Sequence, residues 1–273
     1  MNYFSHFLSM FNFPFRWCSI NDILVEAEKP KELFESLANY TGIYLRDPFS
    51  IDEYEIPKYL LLRAILSKHR NVITPSSEST NHSKFLHTLK IGKKIQSCFR
   101  NIARIPDTWI GGLGNPLCDE IKAVSKPLSS LKGYASLRKG NQGYTYDDLC
   151  GKASKKIPYL TQHYVEGEIF RAHVIDDLVV FHRIEYDLSQ IDYRLSAKFK
   201  TEEVSASREV VRLMVSLSEM EGARFSGIDY IVDSDSMLNI LEVNPMPGYH
   251  SFEKASMDGM YNISNALHRS LKS

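Results

Sequence analysis

The stretch that most constrains this chain runs from Gly227 to Pro245. Gly227 to Val232 is apolar around one Asp, and Leu238 to Val243 is apolar around one Asn and one Glu, with Asn244 and Pro245 following. Between the two runs, Asp233-Ser234-Asp235-Ser236 is turn chemistry, so the pair reads as an antiparallel hairpin. If Val232 faces Asn239 across that turn, Asp229 stands opposite Glu242, and Asn244, two residues on, shares their face. Any one of these acids is as often a solvated surface group. In combination they mean more, because Glu242 and Asn244 alternate with Leu241 and Val243 in a strand whose other face must be core. Carboxylates directly opposite one another repel unless a cation lies between them, and hard oxygen donors suit Mg²⁺ carried on phosphates. The hairpin therefore points to nucleotide chemistry.

At 273 residues, the chain is long enough for one large core or about two to three small lobes sharing a cleft. Formal net charge is zero, so no global field favours nucleic acid or a membrane surface. Cys18, Cys98, Cys118 and Cys150 show neither close pairing nor metal-ligand spacing, and read as reduced thiols of a cytoplasmic protein. The aromatic run from Met1 to Trp17 lacks a basic start and a small-residue cleavage site. No stretch reaches the roughly 18 to 20 apolar residues of a membrane span.

Helices and strands alternate early in the chain. Strands are expected over Asp22–Ala27, Gly42–Arg46 and Val72–Thr74, and helices over Lys31–Ala38 and Pro57–His69, as in a small open sheet. Leu60, Leu61, Ala64 and Ile65 supply the expected buried stripe of the second helix. A further helix is expected over Ser79–Leu89. Later, Ser205–Glu221 is an amphipathic helix stopped by Gly222, and Asn262–Leu271 closes the chain. Both carry packing residues and no chemistry.

Two features between these elements bear on chemistry. Lys126 ends the β-like run Ala123-Val124-Ser125 and opens a loop beginning Ser129-Ser130, where a cation and backbone N–H groups can cradle phosphate. Arg171 and Arg183 fall on two strands around Asp176-Asp177, and Arg194 follows in Ile191-Asp192-Tyr193-Arg194. Single surface arginines need no explanation. Three beside a candidate Mg²⁺–phosphate site offer planar forks for carboxylate and phosphoryl oxygens.

The run Leu241-Glu242-Val243-Asn244-Pro245-Met246-Pro247-Gly248, with Asp229 before it, resembles the metal-binding hairpin of ATP-grasp ligases of the RimK type. Ala123-Val124-Ser125-Lys126-Pro127 resembles their Val-Lys-Pro strand, and Ile105-Pro106-Asp107-Thr108 their Ile-Pro-x-Thr segment. The Asp192-Tyr193-Arg194 run is closest to the graspetide synthetases, which cyclise ribosomal peptides. The resemblance implies a mixed α/β and α+β chain with the ATP-grasp fold. Its parts would be a shortened N-terminal α/β lobe (residues 1–80), a central lid subdomain (81–160) and a C-terminal antiparallel-sheet lobe with the metal site (161–273). By the same resemblance, Asp229, Glu242 and Asn244 hold metal, while Lys84, Lys126 and Ser129 meet phosphates. Gln162, His163, Tyr164 and Val165 lie at the adenine edge, Glu168 at the ribose, and Arg171, Arg183 and Arg194 at the acyl phosphate or substrate carboxylate.

The implied activity is ATP-dependent ligation of a carboxylate on a peptide or protein through an acyl phosphate. ATP and Mg²⁺ would be required, with room for two ions and for Mn²⁺ as a substitute, and a homodimer is allowed. A small-metabolite carboxylate–amine ligase and a non-catalytic binding protein of the same fold are the alternatives. Neither nucleic acid nor membrane is an expected partner.

Overall fold

The computed structural model describes residues 8–10, 12–16, 18, 19, 23, 29–45, 56–66, 71–73, 84–111, 122–127, 136–139, 142–143, 159–186, 199–253 and 262–273. The expected strand over Asp22–Ala27 lies outside these residues except for Ile23, which is helical and not extended, its N–H donating to Ser19 O at 3.3 Å. Helix α1 (Pro30–Leu37), strand β1 (Ile43–Tyr44), helix α2 (Ile56–Leu66) and strand β2 (Val72–Ile73) come first, with β1 and β2 pairing in parallel. Helix α2 buries Tyr59, Leu62 and Leu66 against Leu33 and Leu37, whereas Leu60 and Leu61 are exposed. This reverses the expected stripe. The helix is apolar around most of its circumference, so its periodicity could not select a face.

Helix α3 (Lys84–Cys98) and strand β3 (Ala103–Arg104) follow, then β4 (Thr108–Gly111), β5 (Lys122–Pro127), β6 (Ser136–Lys139), β7 (Gln142–Gly143) and β8 (Tyr159–His163). Strands β4 to β8 form one sheet in the order β4-β8-β5-β6-β7. The C-terminal part contains β9 (Glu168–Ile175), β10 (Leu178–Tyr186), β11 (Phe199–Val204), α4 (Arg208–Met220), β12 (Phe225–Val232), β13 (Leu238–Asn244), α5 (His250–Glu253) and α6 (Asn262–Ser270). Its sheet runs β11-β10-β9-β12-β13-β3. Strand β3 pairs with β13 at the edge of this larger sheet, and Ile91 and Ile95 of α3 enter its core.

Alternation along the strands builds two cores on opposite faces. On one face, Ala172, Val174, Phe181, Ile228 and Tyr230 meet Ile91 and Ile95 of α3 and Leu213, Met214 and Leu217 of α4. On the other, Ile175, Val180, Ile184 and Phe225 meet Phe252 of α5 and Ile263, Ala266 and Leu267 of α6. Fully burying an aliphatic side chain contributes about 1.5–3 kcal/mol, so these layers fix the sheet far more firmly than any single polar contact. Helix α4 starts at the cap residue Ser207 and stops as expected, with Gly222 in the left-handed region at φ 63°.

The hairpin of β12 and β13 is in register where it matters for chemistry. Asp229 pairs with Glu242 and Gly227 with Asn244. Nearer the turn the expected register is one residue out, because Val232 pairs with Leu238 and Ile231 with Asn239. A β-bulge at Leu241 absorbs the difference: Tyr230 faces Ile240, while Asp229 already faces Glu242. The bulge also explains how Ile240 and Val243, three apart in sequence, both enter the same core.

Candidate active site

One row of polar side chains crosses five strands of the large sheet. Glu203 on β11 pairs with His182 on β10, His182 with Arg171 on β9, Arg171 with Asp229 on β12, and Asp229 with Glu242 on β13. Directly paired residues project from the same face, so the register alone aligns the row. The next row adds His173, Gly227 and Asn244 on that face.

Arg171 is the centre of this arrangement. Its Nη1 donates to both carboxylate oxygens of Asp229, at 2.8 and 3.0 Å. The Arg171 side chain is 7% exposed and that of Asp229 25%. Behind the guanidinium lies the Phe252 ring, 5.5 Å from Cζ, a cation–π contact. The guanidinium crosses the backbone of Gly227, where a Cβ would stand 2.6 Å from Arg171 Nη2 and 2.6 Å from Pro247 Cβ. Glycine is thus required at 227 by close approach. The cation that the facing carboxylates demand is supplied in part by the protein itself.

His173 Nε2 lies 3.3 Å from Arg171 Nε and 3.3 Å from the Gly248 carbonyl. It accepts from the first or donates to the second, since a neutral imidazole nitrogen cannot do both. Its Nδ1 is buried without a partner among the described residues, as is that of His182. Burial first, then the neighbouring Arg171 charge and His182, hold His173 well below the usual imidazole range. Burial, with Arg171, likewise lowers His182 from 6.5 to about 4. Both are neutral in the fold at pH 7.

That neutrality has a measurable consequence. Each histidine gains a proton more readily when unfolded, so its contribution to stability is complete above about pH 6.5 and falls as pH drops towards the folded value. A tenfold change in proton activity is worth about 1.4 kcal/mol for one such group, so His182 alone should remove roughly 2 kcal/mol between about pH 7.5 and pH 5. Urea unfolding at these two pH values measures this. A His182→Leu chain should show a flatter dependence, and equal slopes would refute the assignment.

The remaining expected residues separate into distinct places. Asn244 Oδ1 accepts from Met246 N–H at 2.9 Å, which fixes its amide at the start of the Pro245 loop. Arg183 does not join Arg171. Because His182 is the residue paired with Arg171, Arg183 projects from the opposite face, where it donates to Glu202 at 2.6 Å and Glu168 at 3.4 Å. Glu168 is therefore drawn to Arg183 on that face. Gln162 is buried and donates to Thr108 Oγ1 at 3.3 Å. His163 N–H donates to Asp107 O at 2.8 Å and Tyr164 N–H to Lys122 O at 2.9 Å, so neither N–H is available to an adenine edge. Lys84 opens α3, and Lys126 in β5 pairs with Leu160 of β8, but their side chains lie outside the described structure. Ser129 and Arg194 lie outside the described residues.

The sequence pattern did not single out His173 or Gly227. The signal was available in the two-residue spacing of Arg171 to His173 and of Gly227 to Asp229, which puts each pair on one face. The donor set of Asp229, Glu242 and Asn244 is all oxygen and fits a hard divalent cation. Among the described residues no group of three His, Cys, Asp or Glu forms a competing metal site. None of their helices is long and apolar enough to cross a membrane.

No protein-family model matches the chain. No curated protein matches it either. Solved structures do. The chain is similar to the ATP-grasp ligase PsnB complexed with a minimal precursor, at 20% identity over 84% of this chain and 78% of that one, with a TM-score of 0.58. It is similar to the macrocyclase MdnC bound with precursor peptide MdnA from Microcystis aeruginosa MRC, at 15% identity over 85% and 78%, TM-score 0.57. A D-alanine–D-alanine ligase from Bacillus anthracis matches at 15% identity over 89% and 82%, TM-score 0.53. The chain has the fold these ligases share, the ATP-grasp fold.

Proposed function

We propose that this chain is an ATP-dependent ligase that joins a carboxylate to an amine or hydroxyl on a peptide and releases ADP and phosphate. The observation that carries this is the cross-strand pair Asp229–Glu242, with Asn244 on the same face and Arg171 locked against Asp229. Two carboxylates and an amide oxygen on one face are hard donors that suit a divalent cation between them. A peptide is preferred as substrate because similar structures include PsnB complexed with a precursor, Mg and ADP, and MdnC with its precursor peptide.

In this reading, Asp229, Glu242 and Asn244 hold Mg²⁺, with space for a second ion or for Mn²⁺. Bound with ATP, the metal supplies neutralisation of phosphate charge. Lys84 and Lys126 take phosphate oxygens, with Ser129 in the adjoining loop, and Val165 with the carbonyls beside it addresses adenine. Arg171 keeps Asp229 aimed, while Arg194 aligns the substrate carboxylate for in-line attack on the γ-phosphoryl group. The resulting acyl phosphate already carries a good leaving group, so the protein contributes alignment and charge rather than a nucleophile. Arg183, on the opposite face with Glu168 and Glu202, is better placed to order that face than to meet the reacting groups.

Mg²⁺ and ATP together should stabilise the fold more than either alone. Linkage gives roughly 2.7 kcal/mol at a hundredfold excess over Kd, readily seen as a shift in Tm. An unchanged Tm with saturating Mg-ATP would sink the nucleotide assignment. ADP release measured against acidic peptides and against free amino acids then tests the peptide assignment, and turnover only with free amino acids would replace it.

A further inference from the structure

Strand β13 carries Glu242 and Asn244, yet β3 pairs only with its Leu238 and Asn239. Beyond that point its outer edge faces helix α3. There the backbone N–H of Val243, the residue between the two proposed ligands, donates to His87 Nε2 at 3.3 Å. A side chain thus satisfies an edge N–H that a strand would otherwise take. Because Nε2 accepts, the ring N–H sits on Nδ1. That nitrogen is 3.0 Å from Glu221 Oε1, with the two side chains 12% and 1% exposed. The approach is a close polar contact and not a hydrogen bond, and among the described residues no donor bonds to that oxygen. Glu221 is itself fixed at the C-terminal cap of α4. The bond from Val243 N–H thus sets the imidazole tautomer and ties the ring to the backbone of β13, while a buried carboxylate lies against its other nitrogen.

We propose that His87 is a positioning residue for the metal-facing strand. Packed with Nδ1 against Glu221, it holds Val243 so that the side chains on either side, Glu242 and Asn244, stay aimed at one cation. The role rests on the ligase reading of the same site. It also has a mechanical corollary: His87 lies one turn after Lys84 on α3, so the helix opened by a proposed phosphate lysine is tied directly to the metal strand.

The ring nitrogens can be tested separately. Glutamine carries its terminal amide at the reach of Nε2, so His87→Gln keeps an acceptor for Val243 N–H. Asparagine reaches only as far as Nδ1, so His87→Asn keeps the contact with Glu221 and loses the one to Val243. Mn²⁺ affinity is measured by electron paramagnetic resonance with ADP present, and ADP affinity by titration calorimetry without metal. His87→Asn should weaken Mn²⁺ by about tenfold or more, the usual effect of losing a residue that orients ligands. ADP alone should bind it as it binds wild type. His87→Gln should keep Mn²⁺ affinity within about threefold of wild type. Amide exchange at Val243 should be faster in His87→Asn than in His87→Gln. Wild-type Mn²⁺ affinity in His87→Asn would overturn the role, as would equal losses in both variants, since that pattern means ring packing. If wild type bound no Mn²⁺ with ADP, the ligase reading would fall and take this role with it, an outcome visible before either variant is made.

Discussion

Glu242→Gln is expected to leave the circular dichroism spectrum native and to lower ligase turnover by about a hundredfold or more, the usual cost of losing one charge-stabilising group. The substitution keeps the shape of the side chain and removes one of two carboxylates that face each other across β12 and β13. With Mg-ATP the protective shift in Tm should shrink sharply. Turnover at the wild-type level would place the metal elsewhere on the chain.

Arg171→Met should destabilise the fold by about 3 kcal/mol or more, since removing one partner of a largely buried ion pair deprives the other charge of its compensation. The effect draws on several contacts at once. Arg171 gives Asp229 an ionic partner, packs over Phe252, fills the space above Gly227 and reaches His173. Adding Asp229→Asn to Arg171→Met should recover part of the loss, because the carboxylate charge that lost its arginine is gone. Equilibrium unfolding in urea across the double-mutant cycle measures the coupling. A single Arg171→Met variant as stable as wild type would show that the pair is incidental to the sheet.

That Asp229, Glu242 and Asn244 share one face was legible in the sequence for one physical reason. Period-two alternation around Asp229, Glu242 and Asn244 states which side chains share a face, and a short turn between the runs limits the register. The cores of α4 and α6 were legible in the same way, through helical spacing of Leu213, Met214 and Leu217 and of Ile263, Ala266 and Leu267. Three matters were not. The face of α2 was hidden because apolar residues surround it. The side taken by Arg183 depended on the exact pairing of β9 with β10, and one residue of register reverses the answer. The tie from His87 to Val243 joins residues 156 apart in sequence, and no local pattern announces a contact that only packing creates.

The bulge at Leu241 is where the hairpin changes phase. Between the turn and Tyr230, the core-facing positions of β13 are the even-numbered Leu238 and Ile240, whereas at the base the core takes Val243 and leaves the even-numbered Glu242 and Asn244 to the polar face. If the ladder ran on from the turn without the extra residue, Leu241 would stand opposite Asp229, and Glu242 opposite Ile228, with its carboxylate turned into the core. The connection over Asp233–Met237 is therefore out of step with the acids by one residue, and Leu241 restores the step. Deleting Leu241 would close the ladder while still leaving Glu242 opposite Asp229, but it would remove the local bend and added twist that a bulge imposes on its strand. Such a chain separates facing from aiming. A hairpin grafted elsewhere with its acids intact and its bulge smoothed away would carry the ligands in the right order and point them along a different line.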